Sequence, residues 1–141
     1  MMEDFEFFEH TADVGVRVTG KTLNELFANS SKALFKLLVD SPLKQNKKRE
    51  IQLEAQTLEE LLVNWLNELL SIFFAEKFLP LEYNIRIEDN PQSKNIRGVI
   101  LGEEFNPYEN KINMEIKAAT YHNLRVEHNR DGYTAEVIFD V

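Results

Sequence analysis

His10-Thr11-Ala12-Asp13-Val14-Gly15 places an imidazole and a carboxylate just before an alternating apolar run, Val14, Val16 and Val18. A second such run, Tyr133, Ala135, Val137, Phe139 and Val141, closes on Phe139-Asp140-Val141. If the two runs are neighbouring strands, the carboxylates of Asp13 and Asp140 and the terminal carboxylate of Val141 converge. Three oxygen donors outline a site for a hard divalent cation, calcium first and magnesium next, in preference to softer metals. Each acid alone has a plainer reading. Asp13 fits a turn or a cap, and alternation puts Asp140 with Glu136 and Ile138, away from the face of Val137, Phe139 and Val141. The chemistry therefore depends on their meeting.

Other chemistries find less support. His10, His122 and His128 sit in separate segments without a helical His-x-x-x-His pair, which disfavours zinc. Thr120-Tyr121-His122 presents a hydroxyl, a phenol and an imidazole, but a satisfied strand terminus explains it as well. No Gly-x-Ser-x-Gly appears, and the five glycines form no phosphate-cradling run. Glu59-Glu60 and Glu103-Glu104 are adjacent pairs whose side chains diverge, so they read as solvated faces. With no cysteine, disulfides and thiol chemistry are excluded.

The elements that must position the two acids follow from capping and periodicity. Thr22-Leu23-Asn24-Glu25 and Thr57-Leu58-Glu59-Glu60 are capping boxes. The first opens a helix carrying Leu23, Leu26, Phe27, Ala33, Leu34, Leu37 and Leu38 and ending by Ser41-Pro42. The second carries a wide stripe around Trp65 that reads as core and needs a sheet to cover it. Alternation predicts strands over 14–18, 51–55, 83–87, 112–118, 124–128 and 133–141, with Asp131-Gly132 favouring a tight hairpin between the last two. Lys44 to Arg49 reads as a polar, basic connector, and Asp89 to Lys94 as a turn around Pro91. The expected fold is α+β: a single domain over 1–141, a two-layer sandwich with two main helices on a mixed, largely antiparallel sheet.

A chain of 141 residues with 43% hydrophobic residues supports one core. Its net charge of −8 disfavours sequence-independent nucleic-acid binding and suits cations or a basic protein partner. No run approaches a membrane span, and the acidic start lacks the features of a secretory signal, so a cytoplasmic location is the expectation.

Four segments in order resemble the archease family: His10 to Gly15 followed by Gly20-Lys21-Thr22-Leu23; Trp65-Leu66-Asn67-Glu68-Leu69-Leu70; Lys117-Ala118-Ala119-Thr120-Tyr121-His122; and Val137 to Val141. Two departures are Glu104-Phe105-Asn106-Pro107, where many relatives have Pro-Leu-Asp-Pro, and Asn110 in place of a common His. The resemblance, running from about residue 8 to the last, implies an accessory protein rather than an enzyme. Its partner would be the tRNA-splicing RNA ligase, with RNA involved only indirectly. It would promote guanylylation of that ligase and its repeated turnover. The resemblance also implies a metal site at Asp13, Asp140 and Val141, and leaves the roles of His10, Lys117 and His122 open. Two competing readings are a metal-dependent hydrolase of phosphoesters using Asp13, Asp140 and a nearby His, and an RNA chaperone, which would need more of a basic patch than Lys44, Lys47, Lys48 and Arg49 supply.

Overall fold

A computed structural model describes residues 4–10, 13–39, 47–106 and 112–141. Thr11 and Ala12, Ser41-Pro42, Lys44, Pro107 and Asn110 lie outside them, as does the side chain of His10. The two capping boxes open the two helices. Thr22 is extended at the cap of α1 (Leu23–Leu38) and its Oγ1 accepts from the Glu25 N–H at 3.1 Å; Thr57 does the same for Glu60, also at 3.1 Å, at the start of α2 (Leu58–Glu76). Each bond satisfies one of the free donors of a first turn. α1 ends at Leu38, a little before Ser41-Pro42, and α2 stops at Lys77, which takes the left-handed conformation at φ 55°.

Around the helices run β1 (Phe5–His10), β2 (Asp13–Gly20), β3 (Lys47–Ala55), β4 (Phe78–Asp89), β5 (Lys94–Glu104), β6 (Ala118–Asn129) and β7 (Gly132–Asp140). The expected α+β arrangement of two helices on largely antiparallel sheet is present, with one refinement. The strands divide into two sheets, β1-β2-β7-β6 and β3-β5-β4, and every pairing in them is antiparallel. Each helix packs on strands of both: α1 on β2 and β4, α2 on β6 and on β3, β4 and β5.

Trp65, fully buried on α2, shows how the layers fit. Its indole N–H donates to Ser31 Oγ of α1 at 2.8 Å, and that hydroxyl donates to the Phe27 carbonyl at 2.8 Å. The far edge of the ring lies over Gly98 of β5, where a Cβ would come within 2.4 Å. Glycine at 98 is thus what lets the indole reach the strand.

Three expectations change. Of the span 112–118 only Ala118, the first residue of β6, lies in a strand: Ile112 makes a single bridge to Val39, the Asn113 N–H donates to Leu38 O at 2.7 Å, and Ile116 alone is buried. This segment passes beside the end of α1 before entering β6. β5 was not expected, because Gly98 and Gly102 interrupt the apolar signal of Ile96 and Ile100. Lys47, Lys48 and Arg49 belong to β3 rather than a connector; Lys47 pairs with Glu104 at 3.5 Å and Arg49 with Glu76 at 2.8 Å.

Candidate metal centre

β2 and β7 are adjacent, and their register sets Val14 opposite Phe139. Asp13 opens β2 and Asp140 closes β7, so the next step of that antiparallel register sets the two acids opposite one another. Phe139 points into the core with no exposure, so alternation sends Asp140, and Asp13 with it, to the outer face of the four-stranded sheet. Opposite residues on one face have Cβ atoms about 5 Å apart, near enough for two carboxylates to share one cation. Val141 follows half-buried, its side chain packed against the core. Asp13 and Asp140 are thus brought to one place, with Val141 directly beside them.

Among the described residues no three His, Asp or Glu side chains form a metal-binding group. The carboxylates of Asp13 and Asp140 are oxygen donors, of the kind that suit calcium or magnesium. His128 lies at the hairpin end of β6 and stacks on Tyr133 with centroids 4.4 Å apart, whereas Ala118 at the opposite end faces Asp140.

The strand end bearing Asp140 is held from its other side. The Lys117 N–H donates to Asp140 O at 2.8 Å, Ala118 faces Asp140, and Thr120 Oγ1 donates to Ile138 O at 2.8 Å. β6 is the edge of its sheet, yet at Ala119 that edge is capped. Asn67 of α2 donates from Nδ2 to Ala119 O at 3.1 Å and accepts from the Ala119 N–H at 2.7 Å. One side-chain amide thus completes the ladder for one residue as a neighbouring strand would. Asn67 was not singled out from the sequence as a site residue, although a polar residue within the apolar stripe of α2 was the available signal.

Beyond Thr120 the pairing breaks. β6 advances from Thr120 to Arg125 while β7 advances only from Ile138 to Glu136. The bulge holds Asn123 at φ 51° and leaves Tyr121 60% exposed. Bulges re-aim side chains, and at this one Tyr121 and His122 are exposed, just past the Thr120–Ile138 pair. Next along the outer face is a row of alternating charge across four strands: Glu6, Arg17, Glu136 and Arg125. Arg17 lies 2.9 Å from Glu6 and 2.7 Å from Glu136, and Arg125 lies 2.7 Å from Glu136. Burial opposes the charge of Glu136, but hydrogen bonds from Arg17 and Arg125 hold its carboxyl below the ordinary value; the bond to Glu136 raises Arg17.

The model of the archease protein family matches residues 5–141. The chain belongs to the archease family. It is 38% identical to the archease of Saccharolobus islandicus strain M.14.25 over 141 residues, covering 99% of this chain and 100% of that one. It is 33% identical to the archease of Sulfurisphaera tokodaii, again covering 99% and 100%. The solution structure of Methanobacterium thermoautotrophicum protein 1598 superposes with a TM-score of 0.87 at 30% identity, covering 99% of this chain and 100% of that one. The archease match takes in all the segments that form the candidate centre. Among the described residues no helix is long and apolar enough to cross a membrane.

Proposed function

We propose that this archease is an accessory protein of the tRNA-splicing RNA ligase, promoting the ligase's guanylylation and repeated turnover with the help of a divalent cation, calcium before magnesium. The carboxylates of Asp13 and Asp140 and the main-chain oxygens of Val141 would hold that cation. The observation carrying the reading is the β2–β7 register, which brings Asp13 and Asp140 together in a chain of this family. When bound, the cation would supply concentrated positive charge at the ends of β2 and β7, available to phosphate oxygens of a partner's nucleotide. Asp13 and Asp140 would fix its position, Lys117 holds the strand end that presents Asp140, Asn67 holds the neighbouring β6, and the β6 bulge offers a protein partner the exposed Tyr121. A net charge of −8 favours a basic, RNA-handling enzyme as that partner and speeds the encounter.

The test is ligation by the ligase of the same organism with RNA in excess, with and without this protein. Added protein is expected to raise the product formed per ligase above one, and Asp13→Ala with Asp140→Ala to remove that gain along with calcium binding. Unchanged turnover with the double variant would refute the cation's part. Hydrolysis of phosphoesters by the isolated protein with magnesium or manganese would replace the accessory role with an enzymatic one.

A further inference from the structure

The three-stranded sheet turns one face to solvent, and in the middle of it β4 and β5 set Arg86 directly opposite Arg97. Gln52 of β3 faces Arg97 from the other side. Like charges directly opposite in an antiparallel pair destabilise it. The chain has 24 acids with which to relieve that repulsion. Arg17, Arg49 and Arg125 each hold a carboxylate at 2.7 or 2.8 Å, but among the described residues the side chains of Arg86 and Arg97 have no carboxylate and no hydrogen-bond partner.

The two guanidinium groups lie where two depressions meet. The larger, about 590 Å³, continues past Asn84 and Tyr83 to Thr22 at the start of α1; the smaller, about 190 Å³, continues past Gln52 and Asn95. We infer that Arg86 and Arg97 form an anion site for the phosphoryl group of a phosphorylated small molecule. Guanidinium forks match phosphate oxygens in bidentate fashion, and one doubly charged anion between them removes their mutual repulsion. Glu25 borders the larger depression and Glu88 the smaller. A carboxylate bordering each depression limits the positive field around the arginine pair, which suits a small molecule and opposes a polynucleotide backbone. This site lies on a different sheet from Asp13 and Asp140.

The experiment follows the Arg86 and Arg97 side-chain Nε–H resonances by NMR, together with melting temperature, during titration of the full chain with inorganic phosphate, using chloride of equal ionic strength as control. Saturable shifts of both resonances and a phosphate-dependent rise in melting temperature are expected. Arg86→Gln and Arg97→Gln should each weaken phosphate binding by about tenfold or more, as loss of charge-assisted hydrogen bonds implies. In phosphate-free buffer each variant should melt no lower than the parent, since it removes a repulsion. Shifts no greater than with chloride, or parental affinity in the double variant, would overturn the site. Tighter, arginine-dependent binding of polyuridylate would overturn the assignment to a small molecule.

Discussion

Replacing Asn67 with alanine removes both hydrogen bonds to Ala119, at 3.1 and 2.7 Å, and strips the capped N–H and C=O from the edge of β6. Orphaning a buried polar group costs about 1–3 kcal/mol. This pair is only part-buried and water can reach it, so the lower part of that range applies, about 2–3 kcal/mol for the two bonds together. In a chain of this length 1 kcal/mol shifts the melting temperature by roughly 3–4 °C, giving a fall of about 6–12 °C for Asn67→Ala. The loss should be local in origin. Ala119 is flanked by Thr120, which donates to Ile138 O, and by Ala118, which faces Asp140, so this end of β6 should loosen from β7 first. Scanning calorimetry gives the melting temperature, and amide hydrogen exchange resolves the place: protection at Lys117 should drop while Ile100 in the other sheet keeps its parental rate relative to global unfolding. A melting temperature within about 2 °C of the parent, or exchange that rises equally in both sheets, would refute the view that one amide stands in for a strand.

Gly98→Ala should lower stability by about 1–3 kcal/mol, since the new methyl would lie 2.4 Å from the buried Trp65 ring; a lower urea midpoint with unchanged slope checks it. Ser31→Ala leaves the Trp65 indole N–H without its acceptor and should cost about 1–2 kcal/mol, followed by tryptophan fluorescence during unfolding. Glu136, held below the ordinary carboxylate value, stabilises the fold fully above the unfolded range and loses that contribution as pH falls through its folded value. Melting temperatures measured from roughly pH 7 down to 3 should therefore fall less steeply for Glu136→Gln than for the parent. Calcium should raise the melting temperature of the parent, and a chelator should reverse the rise, with neither effect in Asp13→Ala.

Elements whose signal is local were legible in the sequence. Thr22 and Thr57 marked both helix starts because a cap is chemistry within four residues, and the Asp131-Gly132 hairpin is likewise local: Asn129 pairs with Gly132 across it. β5 was hidden because its inward positions alternate isoleucine with glycine, and the glycines answer to Trp65 and Leu79, residues far along the chain. The span 112–118 misled in the opposite direction, its alternation having no neighbouring strand to meet. The two acids could be named from their places at strand ends, but only the register shows that the strands are neighbours. Asn67 was illegible as a positioning residue because its partner is a main-chain amide 52 residues away.

The β2–β7 pairing also bears on when this molecule becomes competent. Arg17 and Glu136 are 119 residues apart, so joining the two strands closes a loop through most of the chain, and such closures come late in folding because their entropy cost falls due before their contacts form. A centre built across that seam cannot exist in a half-made or half-unfolded molecule. Cation binding there would report completion of the whole fold, so a partner that engages only the loaded form would never meet an unfinished one.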